Sequence, residues 1–188
     1  MSFNEVKKEL KKLEKEKIIA ILSDLYKKHK SVREYLDFYV NSDEDSLLVK
    51  YHDKIYEAFY PSRGTNFKIK DAKQALADFK KLDCGEDLYA ELLLFYVETG
   101  INFTNAYGDL DEGFYKNICK YFAESLTIFQ TEGQLDDLQD RAYNVMITTS
   151  DLSSGFHDYM SDIFNDFFPD YYESLDDSDN SISESKEG

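Results

Sequence analysis

A histidine and an aspartate stand side by side at His157-Asp158, just after Gly155-Phe156 and inside an apolar pattern of helical period. An imidazole beside a carboxylate can begin a metal-assisted hydrolytic site. Such a site needs separated histidines, a His-Asp pair and a later aspartate around one ion. His29, His52-Asp53 and Asp151 or Asp158 supply those types in a permissible order. Against this, His52 and Asp53 are interleaved with Tyr51 and Ile55 on a Lys-rich segment and can equally face solvent. An imidazole packed at a helix start, bonded to a backbone carbonyl or a carboxylate, is the simpler account of His157.

Two other stretches concentrate polar chemistry. Asn102-Phe103-Thr104-Asn105-Ala106-Tyr107-Gly108-Asp109, followed by Asp111 and Glu112, is dense in the oxygen ligands that Ca²⁺ or Mg²⁺ would need. The spacing of an EF-hand loop is not reproduced, and Asx-type capping of a helix entry explains the same residues. Asn105, Asp109 and Asp111 therefore join His157 and Asp158 as a candidate polar site with no metal assigned. The other stretch is Arg63 with Lys68 and Lys70, and Lys73 beyond them. A guanidinium beside Gly64 can present donors to a phosphate or carboxylate. The paired glycines and terminal Lys-Ser/Thr of a P-loop are missing, so an ordinary interhelical turn competes with this candidate anion site.

Other catalytic signatures are absent: there is no Gly-x-Ser-x-Gly elbow, no His-Glu-x-x-His pair and no Gly-rich dinucleotide fingerprint. Cys84 and Cys119 are far apart and fit packed small hydrophobes better than nucleophiles. No residue is assigned a catalytic role and no cofactor is expected. With no Cys-x-x-Cys pair between them, the two cysteines also favour a reducing compartment. The charged start, without an apolar leader, and the lack of a bilayer-length apolar run point to the cytoplasm and away from the membrane.

The elements that would position these residues are helical. The 188 residues are 42% apolar, with 14 Phe, 15 Tyr, only two prolines and eight glycines. Ser2-x-x-Glu5 and Ser31-x-x-Glu34 have the form of capping boxes. Val6, Leu10 and Leu13, then Ile18, Ile19, Leu22, Leu25 and Tyr26, then Val32, Tyr35, Leu36 and Tyr39 recur at helical spacing. Asp43 and its neighbours mark another helix start, and Pro61 to Asn66 the clearest loop. Later segments run from Ala72 to Leu82, from Leu88 to near Gly100, from Asp109 or Asp111 to Phe129, from Leu135 to Met146 and from Gly155 to Pro169. No segment alternates as a half-buried strand does. The expectation is an all-α, single-domain multi-helix bundle or helical-hairpin array of about eight or nine helices over residues 1–169.

Charge is polarised. Residues 1–70 hold 15 basic and 12 acidic side chains, and residues 71–188 hold 7 and 26. The Ser-rich acidic tail, 170–188, has too little apolar surface to offset the entropy of ordering and is expected to be disordered. In the basic first third, lysines alternate with Glu5, Glu9, Glu14 and Glu16, as in a solvated helix laced with i,i+4 pairs.

The segments EAFYPSRGTNFKIKDAKQALADFKKL, LLFYVETGINFTNAYGDLDEGFYKNICKYF and SDLSSGFHDYMSDIF resemble an uncharacterised family of small bacterial all-helical proteins, over roughly residues 5–168. The resemblance implies a bacterial, cytosolic protein and brings no activity or catalytic residue with it. The leading expectation of function is a non-enzymatic helical module that binds another protein. Nucleic-acid association through the basic first third is the alternative, followed by a metal-dependent hydrolase centred on His157 and Asp158. Oligomeric state is not legible.

Overall fold

The computed structural model describes residues 1–64 and 66–171. Among these the chain is all-α, with nine α-helices, one short 3₁₀ turn and no strand. None of the helices is long and apolar enough to cross a membrane. The chain divides into two compact units, residues 1–47 and residues 48 onward.

The first unit contains α1 (Phe3–Leu10), α2 (Lys15–Lys28) and α3 (Lys30–Val40). The capping box at Ser2 forms as its sequence predicts: Glu5 N–H donates to Ser2 Oγ at 3.3 Å, and Ser2 N–H donates to Glu5 Oε2 at 2.6 Å. The second box is corrected. Only His29 separates α2 from α3, so α3 begins at Lys30 and Ser31 lies inside its first turn. The cap residue is the extended His29, whose side chain makes no capping bond. The connection is held instead by Arg33, which donates to the carbonyls of Tyr26 and Lys27 at 3.4 Å, satisfying acceptors that a helix C-terminus leaves open. Tyr26 Oη adds a bond to Asp37 at 2.7 Å, so the two helices make an antiparallel hairpin.

Helix α4 (Glu44–Phe59) starts where Ser46 N–H donates to Asp43 Oδ1 and continues into the second unit. That unit also holds α5 (Ile69–Lys80), α6 (Glu86–Tyr107), α7 (Glu112–Thr131), the 3₁₀ turn Asp136–Leu138, α8 (Gln139–Ile147) and α9 (Ser154–Phe167). Helix α6 is apolar over most of its circumference, and a helix of that kind belongs in the middle of a core. It packs against α5, α7 and α8, while α9 covers α7 and α8. Phe59, Tyr96, Phe103 and Phe114 meet edge-on or tilted around it, geometries that suit the ring quadrupoles.

Gly100 does not end a helix, as its position suggested. It lies buried in the middle of α6, where a Cβ would stand 2.8 Å from Ile118 Cδ1 and 3.0 Å from Phe114 Cζ. The missing side chain lets α7 press against α6. The helix ends instead at Gly108, whose φ of +99° is open to glycine at little cost.

The expected tail lies outside the described residues from 172 onward. Its second residue, Tyr171, is buried against Tyr143 and Phe164.

Candidate functional site

The residues named from sequence as a polar site fall into two local arrangements. His157 lies in the first turn of α9, and its Nδ1 is 2.8 Å from Oγ1 of the buried Thr149. Thr149 already donates its one hydroxyl proton to the Met146 carbonyl at 2.6 Å. Its oxygen must therefore accept from His157, which places the imidazole proton on Nδ1. The partner is a hydroxyl, where a carbonyl or carboxylate was expected. Asn105 braces the same turn from α6, donating to the Thr148 carbonyl at 2.9 Å. Asp158 is exposed.

Asp109 and Asp111 sit at the entry to α7. Asp111 is the cap, accepting from Phe114 N–H at 2.9 Å, and Asp109 accepts from Tyr115 Oη at 2.7 Å. Burial, aided by that bond to Asp109, pushes the Tyr115 phenol up to about 12. These are helix-end duties. Among the described residues no group of three or more His, Cys, Asp or Glu side chains is placed to hold a metal ion.

Arg63, Lys68 and Lys70 are all exposed. Their loop is braced by its own polar groups: Ser62 N–H and Oγ donate to Glu57 Oε1 at 2.8 and 2.7 Å, and Lys68 N–H donates to the Ala58 carbonyl at 2.7 Å. No convergence of the three side chains is built by these bonds.

The most concentrated charge chemistry lies elsewhere in the second unit. Arg141 on α8 reaches two carboxylates of α6. Its Nε and Nη2 donate to Glu98 at 2.7 and 3.0 Å, and its Nη1 and Nη2 donate to Glu91 at 2.6 and 2.9 Å. All three side chains are about two-thirds buried. Burial opposes the guanidinium charge, but the bonds to Glu98 and Glu91 outweigh it and hold the Arg141 pKa above its ordinary value.

Glu98 and Arg141 form part of the wall of a cleft of about 650 Å³, with Asn102 of α6, Asn144 of α8 and the tyrosines Tyr56 and Tyr60 around it. The two tyrosine rings stack on one another, 4.8 Å between centroids. Phe95 also lines the cleft, and on it His52 of α4 stacks with centroids 3.9 Å apart. The His52 Nε2 atom is buried without a hydrogen-bond partner among the described residues. Burial lowers the His52 pKa, with Glu91 opposing the shift and Arg141 adding to it.

Of this cluster only His52 was weighed from sequence, with Asp53 as part of a metal site; Glu91, Glu98 and Arg141 were not named, although signals were present. Glu91 and Glu98 are two turns apart on one face of α6, flanking the apolar run from Leu92 to Val97, where a half-buried charge requires a counter-ion. Arg141 is the lone basic residue between Lys120 and Lys186.

A family model described as a family of unknown function (DUF6155) matches residues 1–167. Comparison with curated proteins gave no match. Comparison with solved structures gave none either.

Proposed function

We propose that this chain, which belongs to the family of unknown function DUF6155, is a non-enzymatic helical interaction module of the bacterial cytoplasm. Its α2–α3 hairpin is the docking element. The observation that carries this reading is that α1, α2 and α3 bury no residue at all, although α2 and α3 have apolar stripes. Ile19, Leu22, Tyr26, Leu36 and Val40 line an open groove of about 710 Å³ between the two helices.

The occupant that suits such a groove is an amphipathic helix of another protein, completing a three-helix layer. Covering each exposed Leu or Ile would contribute on the order of 1 kcal/mol. Lys27 and Asp37 on the groove wall offer one charge of each sign for orienting the partner. The bonds of Lys12 to Glu9 and of Lys28 to Asp24 fit lysines that serve a solvated face, which weighs against nucleic-acid binding.

The test is affinity purification of the tagged full chain from lysate of its native host, with and without nuclease, beside the groove variant Leu22→Asp. The expected result is a stoichiometric, nuclease-resistant protein that the wild type retains and Leu22→Asp loses. Recovery of nuclease-sensitive material alone would overturn this reading in favour of nucleic-acid association. Equal recovery by the variant would exclude the groove.

A further inference from the structure

The cleft beside Arg141 belongs to the second unit and is independent of the hairpin groove. We propose that it is a binding site for a small organic cation, a primary ammonium or guanidinium carried on a slender body.

The guanidinium in the wall looks at first like an anion receptor, but its donors are committed. Of the five N–H groups of Arg141, four point at Glu91 and Glu98. An entering phosphate or carboxylate would find at most one free donor, the Glu98 carboxylate in the wall and Glu91 already held on the guanidinium's other edge. The three charges sum to one negative charge, so the local field favours a cation. Residues 71–171, with 6 basic and 20 acidic side chains, reinforce that field at longer range.

The remaining wall groups specify the kind of cation. Asn102 stands one turn after Glu98 on α6, and Asn144 nearly one turn after Arg141 on α8, so both amides line the cleft beside the charges. Their carbonyl oxygens, with Glu98, are acceptors for N–H groups. Tyr56 and Tyr60 supply aromatic surface to which a cation is attracted through the ring quadrupole. A bare metal ion is disfavoured by the same inventory, because no three ligating acids, histidines or cysteines converge among the described residues. The cleft volume of about 650 Å³ lies in the range of small-molecule sites.

Agmatine, with a guanidinium at one end and an ammonium at the other, is a suitable probe. The full chain is titrated calorimetrically at low salt while the side-chain amide resonances of Asn102 and Asn144 are followed by NMR. Saturable one-to-one binding that moves both amides is expected. Glu98→Gln should weaken it roughly tenfold, and Asn102→Ala, at an exposed position that leaves every charge in place, roughly threefold. Asp158→Asn removes an exposed acid that does not line the cleft, so it should leave the affinity unchanged. Absence of saturation would overturn the proposal. So would an equal loss in Asp158→Asn and Glu98→Gln, which is diffuse attraction to an acidic chain. Saturable binding of inorganic phosphate in place of agmatine would overturn it too. The Asn102→Ala arm stands even where Glu98→Gln fails to fold.

Discussion

Arg141 joins α8 to α6 by closing on Glu98 through two nitrogens, Nε at 2.7 Å and Nη2 at 3.0 Å, across 43 positions of sequence. Glu91 accepts from the other edge of the same guanidinium, at 2.6 and 2.9 Å. The planar fork satisfies two carboxylates at once, which a lysine ammonium cannot reproduce. Arg141→Met would leave two largely buried carboxylates without a counter-charge, at a cost of about 2 kcal/mol. Arg141→Lys should recover only part of that. Urea denaturation of the three proteins checks the order, and an unchanged midpoint for Arg141→Met would show that the pairs contribute nothing net.

Gly100 lies against Ile118 of α7 more closely than a side chain would allow. An alanine gains about 1 kcal/mol of helix propensity there, but its methyl group meets the fully buried Ile118 and Phe114 at overpacking distance, costing about 2 kcal/mol. Gly100→Ala should therefore destabilise the protein by about 1 kcal/mol net. Ile118→Val removes the methyl that is hit, so the double variant should be more stable than the two single losses sum to, by about 0.5 kcal/mol or more. Thermal melts of the four-member cycle measure this coupling.

The Thr149 hydroxyl links the end of α8 to the start of α9, accepting from His157 and donating to Met146. Thr149→Val keeps the shape and removes both roles, so a loss of about 1–2 kcal/mol is expected. In the intact protein, nitrogen-15 spectra should show a proton on Nδ1 of His157, and a bare Nδ1 would contradict the assigned direction of this bond.

His52 makes acid stability a matter of burial. Its folded pKa lies below the unfolded value of about 6.5. Above that pH the ring is neutral in both states and the full stability is present. As pH falls, the unfolded chain takes up the proton first, so stability is lost until the folded pKa is passed. Glu91, Glu98 and Asp53 oppose the shift and Arg141 enhances it, so the sign rests on burial as the largest cause. His52→Phe keeps a ring against Phe95 and deletes the orphaned nitrogen. Its stability should fall less than the wild type's between about pH 7 and pH 5 in urea titrations, and parallel pH profiles would refute the role given to His52.

Much of the local structure was legible because it depends on near neighbours. The Ser2 capping box and the Asp43 cap form as their spacing predicts, and of the two acids offered for the start of α7, Asp111 is the one used. Ser31 misled because Arg33 and the one-residue link at His29 set where α3 begins. Gly100 misled because its reason for being glycine is on another helix. Of the polar residues singled out for chemistry, Asn105, Asp109, Asp111 and His157 make bonds at helix ends, and residue types alone do not separate that duty from ligation.

The sequence by itself determined that this protein is helical, because periodicity and end-capping act over three or four residues and leave their spacing in the chain. It also determined the charge polarity, which needs no structure. Only the tertiary structure decided which polar groups meet. Arg141 finds Glu98 and Glu91 at separations of 43 and 50 residues. The cleft beside them exists because residues of α4 and α8 are brought together around α6, whose apolar circumference gathers helices about it. Contacts of that range follow from how whole faces pack, and no local spacing records them.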